Sequence, residues 1–552
     1  MSTSALRVIP LGGLGEIGKN MMVLEYDQDI IVIDCGVLFP EEDMPGIDLV
    51  IPDVSYLLER RERVRGILIT HGHEDHTGAL PFILPQLDVP VYAPRLAHGL
   101  ISVKLKGYRG ARDAKLELIE PGEPLQLGKF NAEWFRVCHS IPDAMGIAIE
   151  TPVGRVVHTG DFKIDHTPVD GQSTDLARLS KYGSEGVLLL CSDSTYAEIP
   201  GYTPSEQVVG DALERAIGEA PGRVLVATFA SLISRIQQIM DAAAQHDRQV
   251  GVVGRSMIEN VRMSIDMGYL KPPAGVLLPL GDTKQLDDER VVLVTTGSQG
   301  EPTSALVRIA QQTHRDIRIV PGDTVVISAT PIPGNETLVS RTIDNLFRQG
   351  ARVLYDKITL VHVHGHASQE ELKMMLNLVR PRFFVPVHGE YRHMLAHADL
   401  AEAMGVARSG IFVLEDGNVL ELTPQGGEVT DSVPAGHVYV DGRELMGENS
   451  RILEERRSLA HDGVIVVAVA LDRYTGQPAK PPQVYSAGFT DDESCRLLFQ
   501  KISESVSESL EHSDNFPIDW GLASKVAKEA AIQLLHREAH RSPYVVVACL
   551  EV

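Results

Sequence analysis

A histidine-rich turn near residue 70 carries the residue types that bind metal ions. The segment THGHEDHTGA places His71, His73, Asp75 and His76 within six residues. HxH on a tight turn can direct two imidazoles at one ion, and the DH that follows can serve a second ion. Imidazole combined with carboxylate suits Zn²⁺, or Mn²⁺ where oxygen ligands weigh more. The pattern therefore predicts a metal-binding turn rather than a solvated histidine-rich loop.

Four side chains do not complete two metal sites, so further ligands must come from elsewhere in the chain. Three polar residues follow apolar runs: His139 follows WFRVC, Asp161 lies in HTGDFK and His388 lies in VPVHGE. Alone, each such residue could simply cap a turn at the end of a strand. In company with the first cluster, all three are interpreted as candidate ligands.

Short β-branched runs alternate with helical stretches, and this rhythm predicts the α/β elements that must hold the candidate ligands. The turn at His71 follows a predicted strand at 66–70, which is a rigid element for a site. Functional residues of α/β layers collect at such strand ends. Further strands are predicted at 21–26, 30–34, 89–93, 156–158 and 187–191.

The pattern of predicted strands and helices changes near residue 204. This change predicts a second α/β domain inserted into the first. Strand–histidine turns return at 352–355 and 383–386, so the halves of the outer domain are expected to rejoin near residue 350. The predicted elements of the insert are helices at 205–219, 231–245 and 257–267 and strands at 223–227, 250–253, 291–295 and 324–328.

A third region follows residue 450. A charged segment at 443–457 is predicted to be a linker helix, and the chain then forms a small α/β unit. Its predicted elements are strands at 464–471 and 544–550 and helices at 493–510 and 520–537. The sequence contains no internal repeat and no low-complexity tract.

The charge balance excludes attraction of the whole chain to a polyanion. The 552 residues include 51 Lys and Arg against 75 Asp and Glu, a formal net charge of −24. Nucleic-acid binding would therefore need a local basic groove or bound cations. The densest basic stretch contains Lys104, Lys106, Arg109, Arg112 and Lys115 around Tyr108. Two interpretations of this stretch stay open. It could bind a single strand through phosphate contacts and base stacking, or it could be an ordinary solvated face.

Cysteine usage and hydropathy favour a cytoplasmic protein. The five cysteines are scattered without a CxxC pair, which suits a reducing compartment. Cys138, beside His139, is interpreted as a buried apolar residue. The longest apolar run, Val464 to Leu471, is far shorter than the roughly 20 residues of a membrane-spanning helix. The first residues lack the features of a signal peptide, so no membrane partner is expected.

The candidate ligands stand in motifs that resemble a known family. HGHEDH, CHSIPD, TGDFK and PVHGE resemble the metallo-β-lactamase superfamily, and SDST and HVHGHA resemble its nucleic-acid-processing branch, the β-CASP group. PLGGLGEIGKN, GIDLVIPD, TTGSQGEP and TPIPGNE resemble the bacterial ribonuclease J family within that group. The resemblance implies an α/β protein: a metallo-β-lactamase αββα sandwich with an inserted α/β β-CASP domain and a small C-terminal α/β domain.

The resemblance and the pattern of elements together divide the chain into five segments. They are the first part of the metallo-β-lactamase domain at 1–203, the β-CASP insert at 204–350, the second part of the lactamase domain at 351–448, a linker at 449–460 and the C-terminal domain at 461–552.

The resemblance also implies two Zn²⁺ ions, with Mn²⁺ as the alternative. It assigns His71, His73 and His139 to the first ion and Asp75, His76 and His388 to the second, with Asp161 bridging both. Two cations about 4 Å apart activate a water and clamp the oxygens of an in-line displacement, as phosphodiester hydrolysis requires.

Residues outside the ligand set also match the family. His366 in HVHGHA matches the histidine beside the scissile phosphate, with transition-state stabilisation or proton donation to the leaving 3′ oxygen as its implied role. Asp193 in SDST would orient His366, or alternatively cap a turn. Together with the bridging Asp161, these are the implied catalytic residues. The implied RNA contacts are Phe229, Ala230, Ser231, His362, Val363, His364, Gly365 and His366.

The chain departs from the family pattern in two segments. His364 stands where the family usually has Ser, and TFASLISR replaces the common TFASNIHR at Leu232 and Ser234. Both departures put substrate preference in question rather than the reaction. A structural divalent cation such as Ca²⁺ is also implied, at Pro45, Ile47 and Asp441, where ordinary turns are the alternative.

The implied activity is metal-dependent cleavage of single-stranded RNA. The resemblance implies 5′→3′ exonuclease and endonuclease action that leaves 5′-phosphate and 3′-hydroxyl ends, in maturation of rRNA and decay of mRNA. The implied partners are RNA, a homodimer or homotetramer, and other proteins of an RNA-degradation complex. The rival interpretations are a DNA-processing β-CASP nuclease, a small-molecule thioesterase or lactonase on the same site, and a non-catalytic RNA-binding scaffold subunit.

Overall fold

The computed structural model describes residues 5–41, 43–332, 335–447, 450–475, 477–489, 492–512, 520–539 and 541–552. The chain separates into two compact units. The first comprises residues 1–39 and 49–438, and the second comprises residues 40–48 and 439–552. Part of the TPIPGNE motif, at Pro333 and Gly334, and the start of the expected linker, at Asn449, lie outside the described residues.

Two mixed sheets form the outer domain of the first unit. The larger has eight strands in the order β23-β22-β1-β3-β4-β6-β7-β8 and the smaller has six in the order β20-β13-β12-β11-β10-β9. The strands of these sheets are β1 Leu6–Gly12, β3 Met21–Tyr26, β4 Asp29–Ile33, β6 Val64–Leu68, β7 Val91–Ala93, β8 Leu116–Leu118, β9 Leu125–Leu127, β10 Phe130–Arg136, β11 Met145–Thr151, β12 Gly154–His158, β13 Val187–Asp193, β20 Pro381–Val387, β22 Asn418–Leu422 and β23 Gly427–Ser432. Outside them, β2 Leu14–Gly15 pairs with β21 Gly389–Glu390, and β5 is Leu49–Pro52.

The core of this domain lies between the two sheets. Leu24, Ile31 and Leu68 from the larger sheet pack in one buried cluster with Trp134 and Ile147 from the smaller. The β-branched and aromatic residues that marked these strands in the sequence therefore face each other across the sandwich. The Trp134 indole donates a hydrogen bond to the Ile69 carbonyl, 2.9 Å away, which ties the second sheet to the turn that leads to His71.

The insert is a parallel α/β layer that enters between two neighbouring strands. Its six-stranded sheet has the order β16-β15-β17-β14-β18-β19. The chain leaves after β13 and returns to β20, which pairs with β13 in parallel and places Asp193 beside Val387. The strands are β14 Val224–Ala227, β15 Gln249–Val253, β16 Leu277–Leu278, β17 Val291–Thr295, β18 Thr324–Ile327 and β19 Arg352–Leu354.

Helices cover the sheets of the first unit. The described helices are α1 Ser55–Leu58, α2 Glu74–Thr77, α3 Leu80–Leu87, α4 Arg95–Leu105, α5 Leu176–Glu185, α6 Gln207–Glu219, α7 Ile233–Gln245, α8 Arg255–Asp266, α9 Leu280–Thr283, α10 Ala305–Ala310, α11 Glu336–Arg348, α12 Gln369–Val379 and α13 Tyr391–Ala403. None of the helices in the described part of the chain combines the length and apolar character that crossing a membrane requires.

The second unit is a three-stranded sheet with helices on one face. The sheet order is β27-β26-β28, and alternate residues of β26, beginning with Ile465 and Val467, pack in one cluster with α15 and α16. The elements are β24 His437–Asp441, which begins in the first unit, β25 Glu444–Gly447, α14 Arg451–Asp462, β26 Val464–Leu471, β27 Gln483–Ala487, α15 Asp492–Glu511, α16 Trp520–Ala539 and β28 Tyr544–Glu551.

The expected fold class is confirmed, and two expected boundaries differ from the observed ones. β19 pairs with β18, so the sheet of the insert continues to Leu354, past the expected limit at residue 350. The C-terminal unit begins at Tyr439 and includes 40–48, rather than beginning after residue 448. Both differences arise from pairing between segments distant in sequence, which local patterning cannot show.

Candidate metal centre

The ends of four strands converge at one edge of the sandwich. The turn after β6 carries His71, and His139 follows β10. Asp161 follows β12, and His388 immediately follows β20. The parallel pairing of β12, β13 and β20 aligns the carboxyl ends of these strands, so residues far apart in sequence meet there.

The first group of candidate ligands comprises His71, His73, His139 and Asp161. His71 Nε2 lies 3.0 Å from His73 Nδ1, and His139 Nε2 lies 3.2 Å from the same atom. Asp161 Oδ2 lies 3.7 Å from the Nε2 atoms of His71 and His139. A tetrahedral cation with bonds of 2.0–2.1 Å places its ligand atoms about 3.3 Å apart, so these spacings fit one.

The second group comprises Asp75, His76, His388 and Asp161. Asp161 Oδ2 lies 3.2 Å from His76 Nε2 and 3.4 Å from His388 Nε2. Asp75 Oδ2 lies 3.5 Å from both of these nitrogens. The same oxygen of Asp161 therefore faces both groups, and the mixed nitrogen and oxygen donors suit a divalent cation.

His388 carries the clearest sign that the second group is built for a ligand. The residue is 2% exposed, and neither ring nitrogen has a hydrogen-bond partner among the described residues. A buried imidazole without partners costs free energy of folding, and metal coordination through Nε2 would offset that cost. The His388 backbone N–H donates to the Gly13 carbonyl at 3.0 Å, so the glycine-rich segment after β1 lies directly beneath this ligand.

Other polar groups orient the candidate ligands through their second nitrogen. Asp34 Oδ2 accepts from His76 Nδ1 at 2.8 Å, and the same carboxylate accepts from the Thr70 hydroxyl and N–H. Thr70 Oγ1 lies 3.0 Å from His71 Nδ1. His139 Nδ1 donates to the Gly365 carbonyl at 2.8 Å. Such partners fix the ring and its tautomer, as is usual around metal-binding histidines.

The electrostatics of the cluster favour neutral imidazoles facing an ionised carboxylate. Burial lowers the pKa of His71 and His139 well below the ordinary value, with His76 and His73 adding to the effect. Burial would raise the pKa of Asp161, but His388 and His76 outweigh it and hold that pKa well below its usual range. Neutral imidazole and ionised carboxylate are the protonation states that coordinate cations.

His76 differs from the other imidazoles of the cluster. Burial opposes its charged form, but Asp161, Asp75 and Asp34 together raise the pKa of His76 well above its ordinary value. A cation held by the second group would take the place of that proton, because a bound cation and the proton both neutralise the same carboxylates.

His366 and Asp193 form a hydrogen-bonded pair at the edge of the cluster. His366 Nδ1 donates to Asp193 Oδ2 at 2.8 Å and lies 4.0 Å from Asp161 Oδ2. Burial opposes the charged form, but Asp193 raises the pKa of His366 to about 9. The Asp193 carboxylate is itself held by Thr195, whose N–H and hydroxyl donate to Oδ1. The pair therefore places an imidazole with a raised pKa beside the candidate metal ligands.

The HVHGHA loop lies against this pair. His364 stacks on Tyr196 with ring centroids 3.6 Å apart and 7° between the planes, and its Nδ1 donates to the His366 carbonyl. Val363 is buried, so its side chain faces the core. A Cβ at Gly365 would lie 2.5 Å from His139 Nδ1, which explains the need for glycine at that close approach.

The expected contacts at Phe229, Ala230 and Ser231 lie in the turn between β14 and α7. This turn is at the carboxyl edge of the insert's parallel sheet, where α/β layers commonly bind ligands. All three residues are partly exposed, and Asn260 Nδ2 donates to the Ala230 carbonyl at 3.2 Å. The two residues of this segment that differ from the family motif also differ in burial. Leu232 is buried in the core of the insert, whereas Ser234 is partly exposed.

The basic stretch contacts the metal-ligand turn through its first residue. Lys104, at the end of α4, forms an ion pair with Glu74, the neighbour of Asp75. Lys115 pairs with Glu117. Lys106, Arg109 and Arg112 are exposed, and among the described residues no acidic side chain pairs with them.

The expected structural-ion residues, Pro45, Ile47 and Asp441, lie in the second unit. The Asp441 carboxylate accepts from the Arg456 guanidinium, which also donates to the Gly46 carbonyl at 3.0 Å. A side-chain cation therefore neutralises Asp441 in this arrangement. The structural ion stays a prediction.

Sequence reasoning missed Asp34, Asn20, Tyr196 and Arg235. Asn20 Nδ2 donates to the Asp75 carbonyl at 3.1 Å, from the segment after β1. Asp34 directly follows the strand β4, as Asp161 follows β12, so the rule that found Asp161 would also have found Asp34. The contacts of Tyr196 and Arg235 with the HVHGHA loop left no local signal, because these residues lie more than 100 residues before His364 and His362 in sequence.

Comparison with protein families covers most of the chain. Residues 14–173 match the metallo-beta-lactamase superfamily, and residues 221–346 match the ribonuclease J beta-CASP domain. Residues 350–413 match the Zn-dependent metallo-hydrolase RNA specificity domain, and residues 451–552 match the ribonuclease J C-terminal domain.

Individual proteins match over nearly the whole length. Ribonuclease J of Synechocystis sp. is 44% identical over 99% of this chain and 86% of its own, and ribonuclease J of Thermus thermophilus is 48% identical over 84% of this chain and 82% of its own. Ribonuclease J2 of Bacillus subtilis is 40% identical over 100% of this chain and 99% of its own. A crystal structure of a protein of unknown function from Enterococcus faecalis shares the fold, with a TM-score of 0.54, 16% identity and coverage of 76% of this chain and 100% of its own.

Proposed function

This chain belongs to the ribonuclease J family of metal-dependent ribonucleases, and from that membership we propose that it cleaves single-stranded RNA by 5′→3′ exonuclease and endonuclease action. The observation that carries the proposal is the position of Asp161 Oδ2, shared between two groups of nitrogen and oxygen donors. We assign His71, His73 and His139 to one cation and Asp75, His76 and His388 to another, with Asp161 between them. Zn²⁺ suits the histidine-rich first group, and Mn²⁺ is the alternative.

The residues around the cluster have separate tasks in the proposed reaction. When bound, two divalent cations lower the pKa of a water and offset the charge that grows on the phosphate. Asp34, Thr70 and Gly365 keep the ligand rings aimed inward through the hydrogen bonds described above. His366, protonated and held by Asp193, donates its proton to the leaving 3′ oxygen. The products would carry 5′-phosphate and 3′-hydroxyl ends.

The substrate contacts proposed here lie on two sides of the cluster. Ser231 and its neighbours, with His364 and Gly365, offer a hydroxyl, backbone groups and a stacked imidazole for the first nucleotide and its phosphate. Lys106, Arg109 and Arg112, which pair with no acidic side chain in the described part of the chain, offer positive charge to phosphates farther along the strand. The α4 helix joins the two regions: its Gly99 faces Met263 and Met267 of the insert, and its Lys104 contacts Glu74.

The wider biological setting is also a proposal. The scattered thiols, free at Cys35, Cys138, Cys191 and Cys549 in the described chain, support a reducing cytoplasm. The family supports a role in rRNA maturation and mRNA decay, together with other RNA-degrading proteins. The open face of the second unit's sheet supports assembly into a homodimer or homotetramer.

One experiment tests three things: whether the protein cleaves RNA, which chemical group it prefers at the 5′ end, and whether RNA or DNA is the substrate. The purified protein, loaded with Zn²⁺ or Mn²⁺, is incubated with 5′-monophosphate, 5′-triphosphate, 5′-hydroxyl and circular single-stranded RNAs and with DNA of the same sequence. We expect fast release of nucleotides from the 5′-monophosphate RNA and slower internal cleavage of the circle. Resistance of every RNA would overturn the proposal, and faster cleavage of DNA would make the protein a DNA-processing nuclease instead.

A further inference from the structure

A buried arginine of the insert contacts the loop that carries His366. Arg235 lies on α7 and is 1% exposed. Removing a guanidinium from water is costly unless hydrogen bonds and an opposite charge compensate. The partners of this side chain therefore show which contacts the fold maintains at that cost.

The guanidinium contacts three separate segments. Nη2 donates to both carboxylate oxygens of Glu206, at 2.9 and 2.8 Å. Nη1 donates to the Ser328 carbonyl at 3.0 Å and to His362 Nδ1 at 2.9 Å. Only a planar group with several fixed donors can contact all three, so lysine cannot replace it fully.

The three partners lie at the start of the insert, at a strand end within it, and at the point where the chain leaves it. Glu206 lies just before α6, where the chain departs from the lactamase sheet. Ser328 directly follows β18, and its hydroxyl donates to the Val361 carbonyl at 2.6 Å. His362 begins the segment that returns the chain to the lactamase domain. The Arg235 side chain thus bonds to both segments that connect the insert to the lactamase domain, at Glu206 and at His362.

The loop that begins at His362 reaches the candidate metal centre within four residues. The Gly365 carbonyl accepts from His139 Nδ1, and His366 bonds to Asp193. The Gly365 backbone packs closely on the His139 ring, since an added Cβ would lie only 2.5 Å from Nδ1. A displacement at His362 would therefore change the position of both His139 and His366.

We propose that Arg235 is a positioning residue for RNA cleavage, which holds the His362–His366 loop in register with the metal centre. This inference rests on the proposed function for its kinetic consequence, but its structural consequence is independent of it. Burial and the neighbouring Arg235 charge keep the pKa of His362 well below its ordinary value, so this ring is neutral and its Nδ1 can accept the bond.

The test compares Arg235→Met with a matched control, Arg248→Met. Arg248 is also a buried arginine of the insert, 5% exposed. It donates to the carbonyls of Gly222 and Ala220, and neither residue lies in a segment that connects the insert to the lactamase domain. Both substitutions remove a buried guanidinium from the same domain. The measurements are kcat and KM on a short 5′-monophosphate RNA, bound metal, and the thermal unfolding midpoint.

We expect Arg235→Met to lower kcat by about 100-fold with little change in KM, because small misplacement of catalytic groups costs this much. Arg248→Met should lower the unfolding midpoint to a similar extent but keep kcat close to wild type. A wild-type kcat for Arg235→Met, or an equal loss in both variants, would overturn the inference. If Arg235→Met does not fold, Arg235→Lys retains the charge beside Glu206 and should show a smaller loss of kcat.

A double substitution separates positioning from a general loss of stability. If Arg235 acts through His362, then Arg235→Met combined with His362→Phe should be no slower than the slower single variant. The combination of Arg248→Met with His362→Phe should instead show additive effects. Additive losses in the Arg235 pair would count against the proposed route.

Hydrogen exchange gives a readout that does not depend on activity. Amides at 360–368 should exchange faster in Arg235→Met than in wild type, and Arg248→Met should leave that segment unchanged. Unaltered exchange in Arg235→Met would refute the inference even if the protein cleaves RNA. Conversely, a wild-type protein without ribonuclease activity would refute the proposed function, while the exchange experiment would still decide the role of Arg235.

Discussion

The contacts of the second ring nitrogen distinguish the histidines of the cluster. His71, His76 and His139 place Nδ1 against Thr70, Asp34 and the Gly365 carbonyl, which leaves Nε2 of each ring facing Asp161. His388 lacks such a partner among the described residues and relies on its backbone bond to Gly13. The geometry of the site therefore depends on residues that touch no cation themselves.

Replacing Asp34 tests this dependence on outer contacts. In Asp34→Asn the shape is kept, but the amide can present a donor to His76 Nδ1 and no longer carries charge. We expect the affinity for the second cation to fall by about 10- to 100-fold, measured by competition with a chelator. Asp29→Asn is the control, because this buried carboxylate bonds to Arg65 and the Lys129 amide away from the cluster. Equal affinities in Asp34→Asn and wild type would contradict the proposed role.

The pair of Asp193 and His366 predicts a pH dependence. Because Asp193 raises the pKa of His366 to about 9, the imidazole donates a proton at neutral pH and loses that capacity as pH rises through the folded value. Asp193→Asn removes the charge that raises the pKa, so the alkaline decline in kcat should begin at lower pH. Thr195→Ala, which loses one bond to Asp193 but keeps the carboxylate, should shift the decline little. An unshifted profile in Asp193→Asn would exclude His366 as the acid.

At the scale of elements, local patterning predicted most strands and helices, and the pairing of β3 with β4, but not the pairing of strands distant in sequence. Met21–Tyr26 and Val291–Thr295 are observed as predicted, because β-branched runs bounded by turn residues are strong local signals. The membership of β19 in the insert's sheet depends on pairing with β18 and leaves no local trace. The same contrast between local and distant features applies to the site. The HGHEDH turn could be predicted because it is one short segment, whereas the bond from Arg235 to His362 could not, because it spans 127 residues.

The turn after α4 is predicted to bind the RNA strand. The structure revises which residues can do so, because Lys104 is paired with Glu74 whereas Lys106, Arg109 and Arg112 are exposed and unpaired among the described residues. Replacing these three with Ala should weaken binding of long RNA and leave cleavage of a dinucleotide unchanged. Each phosphate contact contributes about −0.7 to the slope of log affinity against log salt, so the slope should become shallower by about 2.

The matched control removes equal charge from other elements of the first unit. The control variant replaces three exposed cations, Arg61, Lys129 and Lys181. Its salt slope should stay close to wild type, which separates local contact from a change in net charge. An equal change in both triple variants would show that the turn is only a solvated face.

At the scale of the whole molecule, the candidate site and the proposed assembly surface belong to different units. The proposed catalytic residues and the proposed ligands of the two catalytic cations lie in the first unit, and the second unit offers an open sheet face instead. On that face, Tyr485, Val466 and Val546 form a row across the three strands, with Tyr485 55% and Val546 39% exposed. An exposed apolar row of this kind is typical of a surface that associates with another copy.

Charge placed in this row should break the proposed self-association. In Tyr485→Lys/Val546→Lys, two ammonium groups would have to be buried without partners, so the mass measured by light scattering should fall to that of a monomer. Leu497→Lys is the control, since Leu497 is 67% exposed on α15 and lies off the sheet. Cleavage of a dinucleotide should continue in both variants, because the site lies in the first unit. An oligomer that survives the double substitution would place the interface elsewhere, whereas loss of the oligomer in Leu497→Lys would move it to the helical face.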